Sequence, residues 1–199
     1  MSSSLSTACA QHLSQGMLAL ILVIQTFTHL SWLSISAHSG QVAIPFMMNQ
    51  GMSLFGTVWE QHAPVTSVIA ALVQRFLPFT PLDTARLLNL VTVSAITLLV
   101  YHLAFRMAGN SPLAGITAVL FWAWWEPVYG VVLFYFDTLL GLCLCIALLI
   151  WITLSDRRPL TAAFLAGLFM GLATLAKQHA WAALIVFGVF LFLQSRKHF

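Results

Sequence analysis

The chain has 199 residues, of which 60% are hydrophobic, 13% aromatic and only 7% charged, with a mean hydropathy of +0.94. A soluble domain carries about 25% charged residues. Eight Lys+Arg and five Asp+Glu cannot cover a water-facing globule, and no basic cluster is long enough for nucleic acid. The composition describes an all-α integral membrane protein. The short alternating segments of a membrane β-barrel are missing.

In chain order, residues 1–16 are rich in Ser, Thr and Gln and are expected as a short disordered cytoplasmic tail. Met17–Ala37 is long enough to span, and it lacks the basic n-region of a signal peptide. Residues 38–82 hold Pro45, Gly51, Gly56, Pro64, Pro78 and Pro81, a pattern too broken to cross a bilayer, and are expected as a large first external loop. Within it Val65, Val68, Ile69, Leu72, Val73, Phe76 and Leu77 recur at helical spacing, with Thr66, Ser67, Gln74 and Arg75 opposite. This predicts an amphipathic helix lying in the membrane interface.

The next span is expected from about Leu87 to Met107, capped by Asp83 or Thr84 and closed by Gly109-Asn110-Ser111-Pro112. A stretch from Leu113 reaches Trp125, where Glu126-Pro127 interrupts it. Asp137–Leu154, Leu160–Ala176 and Ala180–Leu193 complete about six transmembrane helices, with Gly167-x-x-x-Gly171 as a close-packing motif. Cys143 and Cys145 are two apart on one helix, poorly placed for a disulfide or metal pair, and read as packing residues.

Sorting charges by loop puts Arg106, Asp156, Arg157, Arg158, Arg196 and Lys197 on one side, cytoplasmic by the excess of basic residues. Both termini then lie in the cytoplasm. Arg75, Arg86, Lys177, Glu60, Asp83, Glu126 and Asp137 fall on the external side. In a chain this poor in charge, that gathering marks the candidate site.

Two clusters and two further positions carry possible chemistry. Trp59-Glu60-Gln61-His62-Ala63-Pro64 offers a carboxylate and an imidazole for acid–base work or for a divalent metal, against the plainer reading of a solvated loop. Lys177-Gln178-His179 suits a phosphate at an interface, against an ordinary snorkelling lysine. Arg86 can meet an anionic ligand or pair with Asp83 three residues back, and Asp137 opens a span where helix capping alone would place an acid.

Four stretches, in this order, look familiar: Gly51–Pro64 with Glu60-x-His62-x-Pro64, Ala85-Arg86-Leu87-Leu88-Asn89, Phe136-Asp137-Thr138-Leu139-Leu140, and Gly171–Gln178 ending in Ala176-Lys177-Gln178. Together they resemble the N-terminal half of the GT-C superfamily membrane glycosyltransferases, the group of protein mannosyltransferases, lipid A aminoarabinose transferases and RgtA/B/C/D-like proteins. The resemblance implies a polyprenyl-phosphate sugar donor, a lipid, glycan or protein acceptor, and an inverting transfer at the external face of the inner (plasma) membrane. It implies Glu60 and His62 beside the donor, as catalytic groups or as ligands of a divalent metal, Lys177 with Arg86 and Gln178 on the donor phosphate, and Asp137 near the cavity.

The chain also departs from the pattern. The family's first-loop acid falls at His38-Ser39-Gly40, which leaves His38 as the substitute base, and its second acid falls at Thr57. Residues 17–199 are expected as one transmembrane domain, shortened relative to full-length members by truncation or reduction. The alternatives are a non-catalytic binding or scaffold subunit on the same fold and a small transporter component.

Overall fold

The computed structural model describes residues 2–31, 39–58, 64–129 and 136–195, and among these the architecture is helical throughout. The helices are α1 (Ser2–Ser31), α2 (Ser39–Asn49), α3 (Val65–Phe76), α4 (Pro81–Met107), α5 (Pro112–Tyr129), α6 (Phe136–Leu154), α7 (Pro159–Ala176) and α8 (Trp181–Ser195). A 3-10 turn at Gln178–Ala180 joins α7 to α8.

Six of these fall on the six expected spans. Four contain a segment long and apolar enough to cross a membrane: Cys9–Ser31, Pro81–Met107, Asp137–Leu154 and Pro159–Ala176. Their outward surfaces carry large exposed apolar side chains such as Phe27, Leu98, Leu148 and Phe164, as a hydrocarbon environment demands. The protein is embedded in a membrane.

Three boundaries differ from the sequence reading. The expected tail 1–16 is helical from Ser2 and continuous with the first span. Ser14 is buried at 2% exposure and its hydroxyl lies 3.1 Å from Tyr101 Oη, so α4 holds the start of α1 in place. Helix α4 begins at Pro81 rather than Leu87, because Thr80 is its cap: the Asp83 amide donates to Thr80 Oγ1 at 3.1 Å, and proline suits the first helical position. Helix α5 runs through Glu126-Pro127 to Tyr129, a proline tolerated near the end of an apolar helix.

The segment 38–82 holds two helices where one was expected. Helix α2 contains Pro45, which argues against a helix from sequence, yet Pro45 is fully buried and Asn49 Nδ2 donates to Ala71 O at 2.9 Å, pinning α2 to α3. Helix α3 covers the predicted stretch, and its small and polar residues are the ones most deeply buried. Thr66, Ser67, Ala70 and Ala71 are buried, while Leu72 is 50% and Phe76 77% exposed. The small residues seat the helix on its neighbours, Val65 and Ile69 pack against the same core, and Leu72 and Phe76 turn outward.

Helices α6 and α7 pack along each other through small residues. Ala147, Ala162, Ala166, Ala173 and Ala176 all have zero exposure. The expected close-packing pair Gly167 and Gly171 lies off this seam, with open space where a Cβ would be. The alanines make the close approach.

Helix α1 runs antiparallel to α4 along a ladder of buried polar contacts. Beyond the Ser14 rung, Thr97 Oγ1 lies 3.1 Å from Gln25 Oε1 and accepts the Trp122 indole N–H from α5 at 3.0 Å. Nearest the far end, Asn89 Nδ2 donates to His29 Nδ1 at 3.2 Å. Gln25, His29, Asn89 and Thr97 are all less than 9% exposed. Such contacts fix register between apolar helices, where lipid offers no alternative partner.

Candidate active site

The helix directions sort the described charges to two ends. Asp83 and Arg86 at the start of α4, Asp137 at the start of α6 and Lys177 just past α7 lie at one end, with α3 beside them. Leu88 of α4, Val65 and Ile69 of α3, Leu139 of α6 and Ala176 of α7 share one apolar cluster there. Arg106 near the C-terminus of α4 and Asp156, Arg157 and Arg158 in the turn between α6 and α7 lie at the other end.

Lys177 and Asp137, forty residues apart in sequence, meet at the first end, with Lys177 Nζ donating to Asp137 Oδ1 at 2.5 Å. Each is placed by its own helix. Asp137 sits in the first turn of α6, where the helix dipole favours an acid, and Lys177 is the C-cap of α7, where it favours a base. The lysine leaves helical geometry (φ −147°, ψ 127°) while its amide still bonds Ala173 O, and the 3-10 turn then reverses the chain into α8. With side-chain exposures of 23% for Lys177 and 44% for Asp137, the pair contributes on the order of 1 kcal/mol or less to stability. Its placement therefore asks for a functional reason.

Beside the pair opens a groove of about 360 Å³ between α6, the 3-10 turn and α8. Leu140, Leu144, Ala180 and Ala183 make it apolar, and Asp137 and Lys177 are its charged groups among the described lining residues. A polar mouth above an apolar cleft suits an amphiphile with a polar head.

Arg86 is the second cation of this end. Its Nη1 lies 3.3 Å from Asp83 Oδ1, and Asp83 also accepts from the Thr80 hydroxyl at 2.6 Å. The expected three-residue pairing is present, tying Arg86 to the capping structure of α4. Gln178 is exposed in the 3-10 turn immediately after Lys177.

Glu60, His62 and His38 lie outside the described residues, as does the geometry of any metal site they would form. Among the described residues no group of three His, Cys, Asp or Glu side chains comes together as a metal site. Thr57, where the resemblance places a second acid, closes a tight turn. Its hydroxyl accepts the Ser53 amide at 2.8 Å, and a Leu54–Val58 bridge flanks it with Phe55 at φ 65°.

The sequence reading did not foresee the His29–Asn89 and Gln25–Thr97–Trp122 contacts. The signal was available: Gln25 and His29 stand one helical turn apart inside an apolar run, and polar groups so placed require partners.

These features define a polytopic helical membrane protein with an ion pair, Lys177–Asp137, at the mouth of an amphiphilic groove. The chain belongs to the dolichyl-phosphate-mannose-protein mannosyltransferase family, whose model matches residues 61–199, and it is a GT-C-like membrane glycosyltransferase by that membership. The match takes in α3 to α8 and all of Asp83, Arg86, Asp137 and Lys177, and leaves α1 and α2 before it. No curated protein and no solved structure matches the chain.

Proposed function

We propose that the protein transfers a sugar from a polyprenyl-phosphate donor to an acceptor hydroxyl at the external face of the inner membrane. The supporting observation is the Lys177–Asp137 pair at the mouth of the apolar groove. The groove accepts the first isoprene units, and Lys177, assisted by Gln178 and Arg86, takes the phosphate. We read this end as external because Arg106, Arg157 and Arg158 hold the opposite end, as six spans with both termini inside would have it.

In the reaction the acceptor oxygen attacks the anomeric carbon, and the bond from that carbon to the phosphate oxygen breaks with its electron pair left on the phosphate. The acceptor proton passes to a base, for which Glu60, His62 and His38 are the proposed groups. The leaving group is a stable phosphate anion, so the demand on the protein is to hold and orient that phosphate rather than to protonate it. Glu60 and His62 are also the residues that would take a divalent ion, and no step above requires one. The family's acceptors are proteins by its description, and a protein hydroxyl is the proposed acceptor class.

The occupation of Thr57 by a structural turn favours one second reading, a lipid-binding subunit without transfer activity. Purified protein incubated with a radiolabelled polyprenyl-phosphate hexose separates the two. Transfer to an acceptor, lost in Lys177→Ala, supports the enzyme. Binding without transfer, with transfer gained in His38→Asp, supports the subunit, and normal transfer by Lys177→Ala overturns the phosphate assignment.

A further inference from the structure

A site built only to hold a phosphate would keep carboxylates away from its lysine. Here Asp137 Oδ1 lies 2.5 Å from Lys177 Nζ, and both line the same groove of about 360 Å³. Any phosphate oxygen that accepts a hydrogen bond from Lys177 therefore comes within roughly 6 Å of the carboxylate, since a charge-assisted bond adds about 2.8 Å. The lysine–aspartate pair is neutral in sum, so this pair gains little from further negative charge on the ligand.

The two lipids that bracket the proposed reaction differ in that property. The donor is a phosphodiester with one negative charge. Cleavage leaves the bonding electron pair on the phosphate oxygen and sends the acceptor proton to the base, so the product is a phosphate monoester with about −1.5 to −2 charge at pH 7. We infer that Asp137 is a positioning and selectivity residue, acting through Lys177, that makes the groove prefer the singly charged phosphodiester over the more highly charged monoester. Transfer itself then weakens the lipid's hold and drives release of the spent carrier. This inference rests on the proposed lipid-phosphate role of the groove and adds the direction of its preference.

Equilibrium binding of decaprenyl phosphate and its monomethyl ester to the full-length protein in nanodiscs at pH 8 tests it, because methylation removes one ligand charge and keeps the lipid. Wild type is expected to bind the ester at least as tightly as the free phosphate. In Asp137→Asn, which retains an acceptor for Lys177, the order should reverse, with the phosphate about tenfold tighter, the scale of removing one carboxylate charge beside the ligand in a partly shielded site. Asp137→Ser gives a second reading of the same ratio should the Asn variant misfold. A wild type that binds the free phosphate severalfold tighter than the ester overturns the inference while leaving a lipid-phosphate site in place. A ratio unchanged in both variants overturns it equally. Binding of neither lipid overturns the lipid reading itself, and displacement of bound lipid by millimolar inorganic phosphate would show a site for free phosphate instead.

Discussion

Lys177 and Asp137 are joined by a hydrogen-bonded ion pair that links the end of α7 to the start of α6 at the mouth of an apolar groove. The pair closes the α6–α7 hairpin at the end opposite its Ser155–Arg158 turn. Its half-exposed setting makes it a weak fastener, so its loss should be felt in ligand handling before it is felt in folding.

Accordingly, Lys177→Ala should reduce sugar transfer at least a hundredfold while shifting thermal unfolding in detergent by less than about 1 kcal/mol. Radiolabel transfer and a scanning fluorescence melt on the same preparation check both halves. A variant that melts early and loses activity in proportion would make the lysine structural.

The Thr97 hydroxyl serves both the Gln25 side chain and the Trp122 indole N–H. Thr97→Val keeps the shape and removes the bonding, stranding two buried polar groups, and should cost about 1–2 kcal/mol. Thr97→Ser, which restores the hydroxyl, should recover most of that loss. Equal melting of the Val and wild-type proteins would show that α1 is held without this contact.

Gly115 allows α5 to pass close to α4, since a Cβ there would come 2.8 Å from the Tyr101 ring. Gly115→Ala should therefore push the ring aside, break its contact with Ser14 and lower stability by about 1–3 kcal/mol. Tyr101→Phe, which loses only the hydroxyl, should be milder. The difference between the two melts separates the steric part from the hydrogen bond.

Orientation is open to direct measurement. In a Cys9→Ser background, a cysteine at exposed Phe79 should react with a membrane-impermeant maleimide in intact cells, and one at exposed Asp156 should react only after permeabilisation. The reverse pattern would turn the groove toward the cytoplasm and remove the external donor from consideration.

What the sequence revealed followed the reach of its signals. The limits of α7 were legible because Pro159 begins the helix and Lys177 ends it, both local signals. Helix α3 was legible by its period, but which of its residues turn inward depends on the helices it packs against, and periodicity carries no sign. Helix α2 was hidden because Pro45 speaks against a helix locally, while Asn49 and the buried face that stabilise it act through α3. At the candidate site, each charge could be assigned to an end of the molecule from its own neighbourhood. The joining of Asp137 to Lys177 could not, because it depends on the alanine seam that sets the α6–α7 approach.

The polar ladder between α1 and α4 also sets a schedule for biogenesis. Gln25 leaves the ribosome 72 residues ahead of Thr97, and His29 leaves 60 residues ahead of Asn89. At synthesis rates of about 5–20 residues per second, the first helix spends roughly 3–14 s with its amide and imidazole unmatched by their later partners. Through that interval the hydrocarbon is a poor host for those side chains, and the insertion machinery is the natural place for α1 to wait. The polar contacts of α1 therefore close only once α4 has been made, and this helix completes its packing well after its own synthesis.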